Sequence, residues 1–306
     1  MKSSTPLSGR LPALAIALAL LPGCSIRKIA VNSLGDALAE GGSTFAADDD
    51  PELVGQAVPF GLKTMESLLA ESPRHRGLLL AACSGFVQYA FAWAQMKADY
   101  VEEESLADAT HQRERARKLY LRARDYGLRG LEVDFKGLRA ELAADPVTAL
   151  RKAKREHVPL MYWTAAAWAG AMALKINDSS VSADQPIVDA LARRALALDP
   201  SWSLGTIHEF FVSWEAGRSS IGGSMESARD HYDRALELAR GRRASPYVTY
   251  AESVCVAEQD RAGFVEALEK ALAVDASEPS DERLSNVLYQ ERARWLLGRV
   301  DEYFIE

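Results

Sequence analysis

The sequence predicts an all-α protein in which helical hairpins stack into a solenoid of degenerate repeats. Apolar residues recur at steps of three and four along most of the chain, and β-branched alternating runs are almost absent. The 12 prolines and 20 glycines fall mostly between the periodic segments. One helical unit, Ile187 to Trp202, returns in degraded copies.

That unit reads Ile-Val-Asp-Ala-Leu-Ala-Arg-Arg-Ala-Leu-Ala-Leu-Asp-Pro-Ser-Trp. Ile187, Leu191, Ala195 and Leu198 share one helical face, Asp199-Pro200 stops the helix, and the small Ala195 permits a close helix crossing. Ala228, Tyr232, Ala235 and Leu236 repeat this grammar, as do Phe264, Leu268, Ala271 and Leu272 and, more loosely, Ala116, Tyr120 and Ala123. A fainter copy ends at Leu68-Leu69. With Leu68, Ala123, Ala195, Ala235 and Ala271 as equivalent points, the steps are 55, 72, 40 and 36 residues. Only the last two approach the roughly 34 of a regular tetratricopeptide repeat (TPR). The unit resembles the second helix of a TPR hairpin, which implies a TPR-like, compact right-handed solenoid.

A chain of 306 residues with 26% charged and 48% hydrophobic residues has the composition of an ordinary folded protein. Its net charge of −7 does not attract nucleic acid or anionic lipid.

The first 24 residues carry Lys2 and Arg10, an uncharged run from Leu11 to Leu21, and then Leu21-Pro22-Gly23-Cys24. The run is too short to span a bilayer and has the length of a signal core. This segment resembles a bacterial lipoprotein signal, with Pro22 as its one uncommon residue. The resemblance implies cleavage before Cys24, a diacylglycerol on the Cys24 thiol, and, because Ser25 rather than an aspartate follows, delivery to the outer membrane. The expected organisation is a signal peptide at 1–23, a tether with a short helix at 24–49 and a helical domain at 50–306.

Asp48-Asp49-Asp50-Pro51-Glu52 lacks the spaced ligands and central glycine of a calcium loop. Asp50 as N-cap and Pro51 as first helical residue explain it, and a helix follows to about Glu71. From Gly77 to Met96 there are 20 consecutive uncharged residues, and from Val158 to Leu174 another 17. Both are Ala- and Gly-rich and contain polar residues, so they read as helices covered on all sides within a solenoid rather than as membrane spans. Phe86, Tyr89, Trp93 and Met96 form a stripe on the first, and Met161, Trp168 and Met172 on the second. Core packing and the lining of a cavity both satisfy such stripes. From Glu103 to Tyr126 a charged helix carries Arg113, Arg115, Arg117, Arg122 and Arg124, read as a solvated face. Short helical pieces broken at Gly127, Gly137 and Asp145-Pro146 follow. Helices are then expected from Ser203 to Gly217, to Arg240, from Pro246 to Ala257, from Phe264 to Val274, and through Trp295-Leu296-Leu297.

No phosphate loop, dinucleotide fingerprint, zinc-protease motif or nucleophile elbow is present, so neither catalysis nor a cofactor is expected. His75, His111, His157, His208 and His231 are scattered without metal spacing, and Cys83 and Cys255 read as buried free thiols.

Taken together, Gly41-Gly42-Ser43-Thr44-Phe45, Phe60 to Glu66, Leu78 to Tyr89, Tyr120 to Gly130, Gly222 to Leu238, Tyr247 to Ala251 and Arg292 to Leu297 resemble the T component associated with tripartite ATP-independent periplasmic (TRAP) transporters. The resemblance implies a TPR-like periplasmic lipoprotein that forms a homotrimer, has a pore through each subunit, and binds the transporter's periplasmic solute-binding protein. It also assigns Phe86, Tyr89, Trp93, Met96, Met161, Trp168 and Met172 to the wall of a channel for a hydrophobic small molecule. The competing reading is a structural TPR lipoprotein that scaffolds envelope assembly and handles no solute.

Overall fold

The structure is a computed structural model and describes residues 32–37, 42–174 and 183–304. The expected leader and Cys24 lie outside the described residues. A helical turn over residues 32–37 and α1 (Gly42–Ala46) precede α2 (Pro51–Glu71). The start of α2 follows its sequence: the Asp50 carboxylate accepts from the Leu53 N–H at 2.9 Å and Pro51 opens the helix.

The first uncharged run forms α3 (Arg76–Ala90), a π turn (Phe91–Gln95) and α4 (Met96–Val101) in continuous succession. By length and composition this 26-residue helix could cross a bilayer. In the fold, Leu79, Ala82, Phe86 and Ala90 are buried in a core completed by Ala116, Tyr120 and Ala123 of α5 (Leu106–Leu131) and by Ala167 and Ala171 of α8 (Val158–Ala173).

Helix α5 runs past the expected break at Gly127. A Cβ on Gly127 would stand 2.1 Å from Thr164 Oγ1, one on Gly130 2.7 Å from Leu160 Cδ2, and one on Gly170 of α8 2.8 Å from the Tyr120 ring. These glycines therefore bring α5 and α8 into close contact, and the helix pays a modest propensity cost for it. Between the two lie α6 (Leu138–Ala144), α7 (Pro146–Ala149) and a 3₁₀ turn (Arg155–His157). Gly137, at φ 81°, introduces α6, and Asp145 caps α7 by accepting from the Thr148 N–H.

The repeat helix is α9 (Gln185–Leu198), stopped at Asp199 as the sequence predicts. Ser203, Leu204 and Gly205 then take φ values of 47°, 57° and 89°, so the next helix, α10 (Thr206–Ala216), starts three residues later than expected. The chain continues as α11 (Met225–Ala239), α12 (Ser245–Tyr250), a second π turn (Ala251–Cys255), α13 (Val256–Glu258), α14 (Arg261–Leu272), α15 (Arg283–Leu297) and α16 (Val300–Tyr303). The described residues contain no strand. The fold is all-α. Neighbours pair as α2 with α3, α3 with α5, α8 with α9, α10 with α11 and α14 with α15, and the repeat-marking Ala123, Ala195, Ala235 and Ala271 are buried.

Two expectations change. The α5 arginines are not simply solvated: Arg115, Arg122 and Arg124 lie over the rings of Tyr89, Phe86 and Trp168 at 5.2, 5.4 and 5.0 Å, and Arg113 is paired with Asp99 and Glu102. Their aliphatic stems and flat guanidinium groups cover aromatic surface that would otherwise meet water. The histidines are not all scattered either, because His208 Nδ1 lies 2.8 Å from His231 Nδ1. Cys83 and Cys255 are buried free thiols, each pushed up to about 12 by burial, so neither is a ready nucleophile.

Candidate functional site

The face of α3 turned away from α5 carries Gly77, Ala81, Ser84, Gly85 and Gln88, small or polar residues at helical spacing. Across from it α2 presents Val54, Val58, Gly61, Leu62 and Met65. Small side chains cannot fill the gap between two helices, and a cavity of about 540 Å³ remains. Pro159 and Trp163 of α8, Trp202, and Leu284 of α15 close its far side, while Asp36, Phe45 and Ala46 reach it from the N-terminal segment.

Of the seven residues expected along a channel, Tyr89 and Trp93 stand in this wall. The Trp93 indole N–H donates to the Pro51 carbonyl at 3.0 Å, and the ring fits against Gly55, where a Cβ would be 2.3 Å from Nε1. Tyr89 stacks on Trp93 with ring centroids 5.5 Å apart. Its hydroxyl accepts from Arg115, 3.0 Å away.

The other five are placed elsewhere. Phe86 stacks on Tyr126 in the α3–α5 core, 5.9 Å between centroids. Met96 and Met161 are fully enclosed. Trp168 and Met172 belong to the core around α8 and α9, and the Trp168 N–H donates to Asp184 at 3.0 Å. Both uncharged helices thus border the cavity, the first with a face that overlaps its stripe at Tyr89 and Trp93, and α8 through Pro159 and Trp163, off its stripe. Where α2 and α3 face each other the small Gly61, Gly77, Ala81 and Gly85 leave the gap open, and the larger Tyr89, Trp93, Trp163 and Trp202 bound it.

Trp163, Trp202, Phe45 and Asp36 are wall residues that sequence reasoning missed. Tyr162 orders two of them, with its ring edge-on to Trp163 at 5.0 Å and tilted against Trp202 at 4.9 Å. Pro159 and Trp163 are one helical turn apart, a signal hidden because α8 is apolar all round. Asp36 and Phe45 come from a segment distant in sequence.

Among the described residues, Asp36 is the only charged side chain in the wall. No three His, Cys, Asp or Glu gather as metal ligands among the described residues. Concave, predominantly apolar and furnished with a few polar groups, the site has the makeup of a small-molecule pocket.

The sequence model of the TRAP transporter T-component family matches residues 47–304. The chain belongs to this family. An uncharacterised protein of Treponema pallidum (strain Nichols) is 32% identical to it, over 94% of this chain and 95% of the relative. Membership gives this T component an accessory role in a TRAP transport system, associated with the cell envelope, in a family that is not one of enzymes. The cavity-lining helices α2, α3, α8 and α15 of the T component fall inside the matched region, whereas Asp36, Phe45 and Ala46 precede it.

Proposed function

We propose that this T component is a non-catalytic periplasmic lipoprotein, cleaved before Cys24 and anchored through it to the outer membrane. It docks the solute-binding protein of its TRAP system and holds an apolar ligand in the cavity between α2 and α3. The observation that carries the ligand half of this reading is the cavity itself, about 540 Å³ walled mainly by aliphatic and aromatic side chains. Removing an apolar ligand from water into such a space yields roughly 25 cal/mol per Å². The partner, the anchor and a homotrimeric assembly extend from the family.

Purification of the tagged, full-length protein from its own envelope, followed by native mass spectrometry, tests the reading. A lipid adduct at Cys24, the solute-binding protein, a trimer mass and a bound apolar small molecule are expected. An envelope preparation that carries neither the solute-binding protein nor a small molecule would favour the scaffold alternative. Cys24→Ser should release the protein into the periplasm, and persistence in the membrane would overturn the anchor.

A further inference from the structure

Charge is unevenly placed on this molecule. The chain carries −7 overall, which works against an anionic surface, so attraction to one has to come from a local face. The outer side of α5 and α6 is such a face. Lys118, Arg122, Asp125 and Arg129 follow one another at steps of four, three and four along α5, and Arg139 of α6 completes a shallow groove with them. Two further cations share the carboxylates at its rim: Lys63 pairs with Glu66, which also faces Arg122 at 3.6 Å, and Arg124 pairs with Asp125 at 3.1 Å. Arg139 stands 3.6 Å from Asp125 and 3.4 Å from Glu132. Among the described residues, these contacts set six cations against three carboxylates.

The groove also lies where the N-terminal tether meets the helical domain. Arg129 donates to the Pro73 carbonyl at 3.3 Å, and the residue before that proline, Ser72, donates its hydroxyl to the Asn32 side-chain oxygen at 2.8 Å. From Cys24 to Asn32 is eight residues, a reach of at most about 29 Å. That stretch carries Arg27 and Lys28 and no carboxylate. A lipid on Cys24 therefore keeps the bilayer surface within this reach of Asn32, and the groove is beside the point of attachment. Basic side chains so close to a bilayer are drawn to its anionic headgroups, and arginine matches phosphate oxygens in a bidentate fashion. We propose that the α5–α6 groove docks on the anionic phospholipid headgroups of the membrane that holds Cys24, so that the protein lies against that membrane in one orientation. The proposal rests on the anchor reading above.

The test cosediments the full mature chain carrying Cys24→Ser, at about 50 mM salt, with vesicles of phosphatidylcholine alone or with about one third phosphatidylglycerol. Binding should be severalfold greater to the anionic vesicles, and the difference should vanish at about 500 mM salt. Lys118→Gln, Arg129→Gln and Arg139→Gln together should remove most of it. The same loss of charge at exposed side chains of α11 and α14, through Arg234→Gln, Arg261→Gln and Lys270→Gln, should leave most of it in place. Vesicle binding with no preference for the anionic lipid would overturn the proposal, and so would equal losses in the two triple variants, which would make the attraction one of net charge alone. Mass spectrometry of the native protein showing Cys24 without lipid would bring down the anchor reading and this proposal with it.

Discussion

Trp93 donates its indole N–H to the carbonyl of Pro51 at 3.0 Å, tying the π turn after α3 to the first residue of α2 across the cavity. Trp168, on the other uncharged helix, spends its N–H on Asp184 and is packed in the core. The two tryptophans should therefore separate in experiment. Trp168→Ala should cost about 3 kcal/mol or more, as for a buried aromatic. Trp93→Ala, at a half-buried wall position, should cost less stability and most of the ligand affinity. Denaturant unfolding of each variant beside a ligand titration gives both quantities, and equal stability losses would contradict the placement of Trp93.

Two glycines predict opposite signs for one substitution. A Cβ on Gly61 meets nothing within 4 Å, because it projects into the cavity, whereas on Gly127 it would stand 2.1 Å from Thr164 Oγ1. Gly61→Ala should raise stability by about 0.5–1 kcal/mol through the helix alone. Gly127→Ala should cost about 1–3 kcal/mol as α5 and α8 are pushed apart. Gly61→Leu should fill the cavity, keep the fold and abolish ligand binding. Thermal melts check the signs, and full binding by Gly61→Leu would show that ligand sits elsewhere.

How much of this was legible follows from how local each decision is. The start of α2 was, since Asp50, Pro51 and Leu53 settle it among themselves. Gly127 was not, because whether a glycine breaks a helix or lets a neighbour approach is decided by Thr164, on another helix. The two uncharged helices were recognised as the ones beside a cavity, but their facing was not. With no polar side, α8 gives periodicity nothing to orient by: Met161, Trp168 and Met172 went into the core, while Trp163 faces the cavity. Small residues at Gly77, Ala81 and Gly85 were the better sign of empty space.

A buried charge joins α15 to α4 and to the second π turn. Arg292 of α15, 8% exposed, donates to Glu252 in the second π turn at 2.7 and 3.0 Å and pairs with Asp99 of α4 at 3.0 Å. Its guanidinium lies 4.4 Å from the Trp295 ring centroid. Burial pushes the Glu252 carboxyl up despite Arg292 beside it. Arg292→Met leaves Glu252 without its cation and Asp99 with Arg113 alone, and should cost about 3–5 kcal/mol. Adding Glu252→Gln and Asp99→Asn should restore part of that loss, since the uncompensated charges go too. Chemical denaturation of the single and triple variants checks this. A triple variant no more stable than Arg292→Met would mean that the packing of Arg292, not its charge, holds these elements together.

The last prediction concerns the facing imidazoles. His208 Nδ1 and His231 Nδ1 are 2.8 Å apart, so one ring must donate and the other accept, and a doubly protonated pair would set two N–H groups against each other. Burial first, and then the charges of His231 and Arg234, push His208 down to about 4. Burial also lowers His231, with Arg193 reinforcing it against Glu215 and Asp230. Above about pH 6.5 both rings are neutral, folded or unfolded, and the pair adds no pH dependence. As pH falls below that value the unfolded chain takes up protons that folded His208 refuses until near pH 4 and that folded His231 takes up less readily than the unfolded ring. The unfolded state then binds more protons, so stability rises with pH across this window and is progressively lost on acidification. The urea midpoint should fall between about pH 7 and pH 5, and His208→Phe should flatten that fall. An unchanged slope in the variant would place the acid sensitivity in other groups.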